Sequence, residues 1–258
     1  MSLGGVMSDM FNSYRRIIDK LEEDAHWFVV KDFQSSEAYV LSLYRSILDY
    51  AKAMDTTCRN KDYIILPVAL RAMSEAYAGL DSLARIEGFA ASYELSSLDQ
   101  RRKDINSFIS YLDEHPHIKV RLRPMYDAEK EELERIRPFI RRMKADNVKI
   151  VKGVNLFSSD ETKEVYHTAY RLSNSFLHND AFAVERRNWK RANGKNAIVS
   201  ASESRSNIVL SCLFYSIKIT SESYRKLKAI FEWPDFSSNL DSRIKSFLVR
   251  FDEYANVS

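Results

Sequence analysis

Three observations predict an all-α fold for this sequence. Glycine and proline are scarce, six and five in 258 residues. The common residues are good helix formers such as Leu, Ala, Glu, Lys and Arg. Apolar residues recur at three- and four-residue steps along most of the chain, the spacing of one face of a helix. The same composition argues against a β-sandwich, a barrel or a Gly-rich nucleotide loop. The expected architecture is a single helical bundle of about seven or eight helices over residues 8–258. That is one domain, or one domain carrying an attached helical layer. Residues 1–7 (MSLGGVM) are set aside from fold reasoning.

The elements follow in order. Phe11, Tyr14, Ile17, Ile18, Leu21, Ala25 and Phe28 predict a first helix over 9–33. Ser35 and Ser36 break it, and Ser36 suits the N-cap of a second helix reaching Cys58. A third helix is expected over 62–86. Pro67 moves its start toward Leu66, and Gly88 stands just past its end as a stop signal. A fourth covers 90–114 and stops at His115-Pro116-His117. A fifth covers 128–144, where Pro138 predicts a kink or break. Residues 147–158 read as irregular. Ser159 or Asp160 then caps the next helix, with Glu161 and Glu164 in its first turn, where acids are favoured. A polar, basic stretch runs to Ser200. It contains Asn193-Gly194, a turn dipeptide, but a hairpin is not the favoured reading. Long apolar spacing over 203–231 predicts the penultimate helix. Trp233-Pro234 ends it, and a last helix covers 239–254.

The net charge of +3 permits contact with nucleic acid without demanding it. Cys58 and Cys212, the two cysteines, sit in apolar helical contexts and read as small hydrophobes. Their number and spacing give no disulfide framework and no zinc site. His115 and His117 flank a proline without a third matched ligand, so no metal and no cofactor is expected. The most apolar run, 208–219, is too short to span a bilayer. With no basic-then-apolar leader at the N-terminus, the expectation is a cytoplasmic protein with no membrane partner.

The informative stretch is residues 166–180. Arg171 and His178 stand seven positions apart at the end of the predicted helix, and Asn174 lies between them. Seven residues are about two turns, so both leave one face roughly 10 Å apart along the axis. A cation, an amide and an imidazole in a row suit a phosphate or a phosphodiester. A plainer reading stands beside it. His178 as a cation favours a helix C-terminus, Asn179 suits the left-handed cap, and Arg171 pairs with an acid.

Two further constellations carry both kinds of reading. Arg71 and Glu75, at i and i+4 on the third helix, form either a partly buried structural ion pair or a support that orients Arg171 or His178 across the bundle. Arg187, Trp189, Lys190 and Arg191 form a basic stretch with an aromatic. It suits single-stranded nucleic acid, or is a solvated loop.

Arg71…Glu75 on an early core helix, then Tyr170-Arg171, Ser173-Asn174 and Leu177-His178 at the end of a later one, with a long apolar helix after a polar gap, resemble HEPN-like proteins. The pattern is closest to an uncharacterised bacterial family of HEPN-like helical proteins. It covers about 62–231. The resemblance implies an all-α bundle, a homodimer, and metal-independent endoribonuclease activity on RNA of defence or toxin type, with an antitoxin-like protein as a partner. In it Arg171 and His178 are the catalytic pair and Asn174 a helper. Six residues separate Arg171 from His178, within the four to six of the family motif. His178 would serve as general base or acid toward a ribose 2′-hydroxyl, and Arg171 would stabilise charge on the phosphate. One departure is Leu172, where active members often carry a polar residue. The alternatives are a non-catalytic helical interaction module and a nucleotide- or phosphate-sensing domain.

Overall fold

The computed structural model describes residues 3–30, 35–60, 63, 65–151, 153–177, 189–192, 195–198, 206–232 and 238–255. Its helices are α1 (Leu3–Ala25), α2 (Ser36–Asn60), α3 (Ile65–Arg85), α4 (Phe89–Glu114), α5 (Pro116–Arg121), α6 (Arg123–Ala145), α7 (Asp160–Val165), α8 (Arg171–Leu177), α9 (Ser206–Ile230) and α10 (Ser238–Ala255). A π-helical segment, Tyr166–Tyr170, joins α7 to α8, and a 3₁₀ turn covers Gly153–Leu156. The fold is all-α, as the periodicity predicts. One feature is added. β1 (Trp189–Ala192) and β2 (Lys195–Ile198) pair antiparallel, Trp189 opposite Ile198, around the Asn193-Gly194 dipeptide. The sequence there has no clear apolar alternation, the usual sign of a strand.

The sequence reading carries one domain over 8–258. The described chain sorts into two compact units, residues 1–85 with 157–258, and residues 86–156.

In the first unit the helices alternate in direction. Tyr14 on α1 reaches the Ala51 carbonyl on α2 at 3.0 Å and Ser216 on α9 at 2.7 Å, while Tyr224 on α9 reaches Asp24 at 2.9 Å. Both α9 partners of α1 rise in the same order, so α1 and α9 run parallel. Phe214 stacks on Phe251 at 4.3 Å and Arg225 approaches Asp241, so α10 runs antiparallel to α9. α9 packs against α1, α2, α3 and α10, and is the central helix of this unit. Its buried hydroxyls are accommodated by bonding back along the helix, Thr220 to the Ser216 carbonyl and Ser223 to that of Ile219, both at 2.7 Å. Cys58 and Cys212 are buried. Burial, reinforced by Asp55, pushes the Cys58 thiol up to about 12, so it stays protonated and inert at neutral pH.

Several boundaries differ from expectation for local reasons. α1 stops at Ala25, eight residues early. A turn follows, and Phe28 is buried against Tyr224 and Phe231. The cap of α2 is Ser35 rather than Ser36: its Oγ accepts from the Ala38 N–H at 3.2 Å. Gly88, at φ 73°, takes the left-handed conformation between α3 and α4 that a side chain would resist.

The second unit is a helical hairpin of α4 and α6 with the short α5 at its turn. Pro116 begins α5, where its missing N–H costs nothing. Leu95, Ile105, Leu133, Ile136 and Ile140 form the core. α6 runs through Pro138 without the break that proline predicts. It ends on Asn147 at φ 59°, with Val148 N–H bonding the Met143 carbonyl and Asn147 N–H that of Lys144. That is a Schellman closure, and Met143 and Val148 also meet the apolar core. Among the described residues, no helix is long and apolar enough to cross a membrane.

Candidate functional site

The site is built on the helix from Asp160 to Leu177. Ser159 caps it in a reciprocal box with Thr162: Ser159 Oγ accepts from the Thr162 N–H at 3.2 Å, and Thr162 Oγ1 accepts from the Ser159 N–H at 3.1 Å. Seven residues after the Ser159 cap the winding widens into the π segment. Single π turns inside α-helices are uncommon and recur at functional sites.

Within that segment Tyr166 and Tyr170 stack at 5.3 Å with rings 20° apart, and Phe157 lies 5.2 Å from each. Arg71 of α3 sets its guanidinium 5.3 Å from the centre of the Tyr170 ring. The third helix and the motif helix therefore do meet through one of the residues singled out in the sequence. They run antiparallel, since Arg71 meets Tyr170 while Tyr77 donates to Glu161 at 3.4 Å.

Glu75 binds Arg71, at 3.2 Å, and no contact with Arg171 is present among the described residues. The pair is less buried than its apolar neighbours suggest, with side chains 38% and 48% exposed. Ala169 of the π segment and Ser173 of α8 are fully buried and make the inward face. Arg171 is exposed and has no ion-pair partner among the described residues. Asn174 is partly buried, and its Oδ1 is a buried acceptor with no hydrogen bond among the described residues. Such an oxygen costs about 1–3 kcal/mol if left unpaired. His178 and Arg187 lie outside the described residues. Trp189, Lys190 and Arg191 fall on the backbone of β1.

Sequence reasoning missed two features here. His167, exposed on the π segment with its ring 5.3 Å from Tyr166, precedes Arg171 by four residues. The second is an ion network on the same helices. Asp81, 1% exposed, meets Lys226 at 2.9 Å and Arg85 at 3.4 Å, and Lys226 continues to Glu161 at 2.7 Å. The geometry at Asp81 Oδ1 is that of an ion pair without a well-aligned hydrogen bond. Burial alone would lower the Lys226 pKa, but Glu161 and Asp81 outweigh it and hold it above the ordinary lysine value. Burial, then the charges of Glu161 and Asp81, push the Tyr77 hydroxyl well above the usual tyrosine range. The signal that could have found the network was the i, i+4 spacing of Asp81 and Arg85.

Among the described residues no group of three or more His, Cys, Asp or Glu side chains could hold a metal ion. The chain matches no protein-family model, no curated protein and no solved structure at a significant level. The reading of the site therefore stands on its own residues. What they offer is a solvent-facing guanidinium, a neighbouring amide with an unused acceptor, and an aromatic-cation stack that fixes the helix against α3.

Proposed function

We propose that this chain is a HEPN-like, RNA-directed protein, a metal-independent endoribonuclease of defence or toxin type acting as a homodimer. The observation that carries the reading is Arg171, exposed and without an ion-pair partner among the described residues, directly after the π segment on a helix held to α3 through Arg71 and Tyr170. A guanidinium left without a carboxylate is available to a phosphate. In the reaction His178 takes the proton of a ribose 2′-hydroxyl, whose oxygen attacks the adjacent phosphorus. The 5′-oxygen leaves with a proton, and a 2′,3′-cyclic phosphate and a 5′-hydroxyl remain. Arg171 stabilises the added charge on the phosphoryl oxygens. Asn174 is the helper. Arg187, Trp189, Lys190 and Arg191 contact the RNA, the cations tracking phosphates and the indole stacking on a base. An antitoxin-like protein is the expected partner.

The test is cleavage of a varied RNA pool in EDTA. Arg171→Ala and His178→Ala each lower the rate by at least about a hundredfold while circular dichroism stays native. His167→Ala stays active. Wild type that leaves every RNA intact contradicts the reading.

A second reading, a non-catalytic helical interaction module, is favoured by the second unit. Val120 (77%), Phe139 (55%) and Met125 (54%) are exposed there.

A further inference from the structure

Away from the motif helix, α1 and α10 enclose a polar groove of about 490 Å³. α1 turns Ser13 and Arg16 into it, and α10 turns Ser242, Arg243, Ser246 and Arg250. These residues lie three, four and seven or eight positions apart on their own helices, so each set occupies one face. The same two helices bury Tyr14 and Phe247, whose rings lie 6.4 Å apart in the core. The groove is thus seated on packed structure. Its arginines stand on helices whose positions the core determines.

None of the three arginines has an ion-pair partner among the described residues, although most other arginines described in this unit do. Asp9 and Asn12 complete the lining, and Asp9 has no ion pair among the described residues. Three cations against one anion leave the groove with a net charge of about +2 before any ligand enters. Arg243 and Arg250 are separated by about 10 Å along α10. Because α1 and α10 run antiparallel, Arg16 falls toward the Arg243 end and Asp9 toward the Arg250 end. The hydroxyls of Ser13, Ser242 and Ser246 supply donors between them. Charge, donors and span together match two linked phosphate groups better than one. Among the described residues no aromatic side chain lines the groove, so the recognition is of phosphate and not of a stacked base. The volume lies within the range of small-ligand sites.

We propose that this groove binds a small molecule carrying two linked phosphates, of the class of pyrophosphate and nucleoside diphosphates. Arg16 and Arg243 hold one phosphate and Arg250 the other. The site shares no residue with the motif helix, so it does not depend on the RNA reading.

Thermal unfolding of the full chain in low salt tests it, with pyrophosphate, ADP, orthophosphate and a single-stranded oligoribonucleotide as separate probes. Pyrophosphate and ADP are expected to raise the melting temperature by about 5 °C at a hundredfold excess over Kd, and orthophosphate by less. Arg16→Gln with Arg243→Gln is expected to weaken pyrophosphate at least tenfold while the unliganded melting temperature stays within about 2 °C, since both side chains are exposed and without an ion pair among the described residues. No rise with pyrophosphate or ADP overturns the proposal. So does an equal rise in the double variant. A response to the oligoribonucleotide alone overturns it as well, by making the groove an RNA surface.

Discussion

α3 holds two ion pairs of the same spacing in opposite surroundings. Near its start, Arg71 and Glu75 meet at 3.2 Å with side chains 38% and 48% exposed. Near its end, Asp81 and Arg85 meet at 3.4 Å, and the carboxylate is 1% exposed. The first is a solvated pair of the kind worth a few tenths of a kcal/mol. The second cannot be left to solvent, and Lys226 from α9 completes it. Spacing within a helix therefore says which residues meet, and only the neighbouring helices decide what the meeting is worth.

The sharpest way to break this comparison is Lys226→Met. It removes the closer cation from a buried carboxylate and is expected to cost about 3 kcal/mol in urea unfolding. A loss below about 1 kcal/mol would put Asp81 on a par with Glu75.

The second unit offers an independent instance. Asp99, 3% exposed, is held by Lys103, Arg102 and Lys144. The Lys103 hydrogen bond first, then Arg102 and Lys144, overcome burial and lower the carboxylate to about 2. A folded pKa below the unfolded one stabilises the native state above about pH 4, and that stability is lost as pH falls toward 2. The contribution is about 2 kcal/mol. Asp99→Asn should lower stability by that order at pH 7 and flatten the acid limb between pH 4 and 2. An unchanged limb would assign the acid sensitivity to other carboxylates.

The smallest effect is expected at the exposed pair. Glu75→Ala should shift stability by no more than about 0.5 kcal/mol. It should also leave RNA cleavage near wild type, because Glu75 touches Arg71 and not Arg171. A large loss of cleavage with stability intact would give Glu75 the orienting role that the sequence left open.

The helices were legible in the sequence because burial in a bundle imposes a 3.6-residue period. The apolar positions of 11–28, 38–51 and 66–83 announced their elements directly. The limits of that legibility were local. The cap at Ser35 instead of Ser36 is set by a single hydrogen bond from the Ala38 N–H, and past the early end of α1 Phe28 packs on Tyr224 and Phe231. The paired strands 189–192 and 195–198 lie in a polar stretch with little apolar alternation to announce them. The π segment has no marker in residue type. Of the candidate site, the meeting of the third and motif helices was foreseen, but the contact is made by Arg71 on Tyr170. Asp81, Lys226 and Glu161 went unnoticed because they lie far apart in sequence, on three different helices.

The most direct test of the functional account is the chemistry of the RNA ends left in EDTA. Cleavage by the Arg171/His178 pair predicts 2′,3′-cyclic phosphate and 5′-hydroxyl termini, produced by wild type and absent with Arg171→Ala. Uncut RNA, or the same termini persisting with Arg171→Ala, would contradict it.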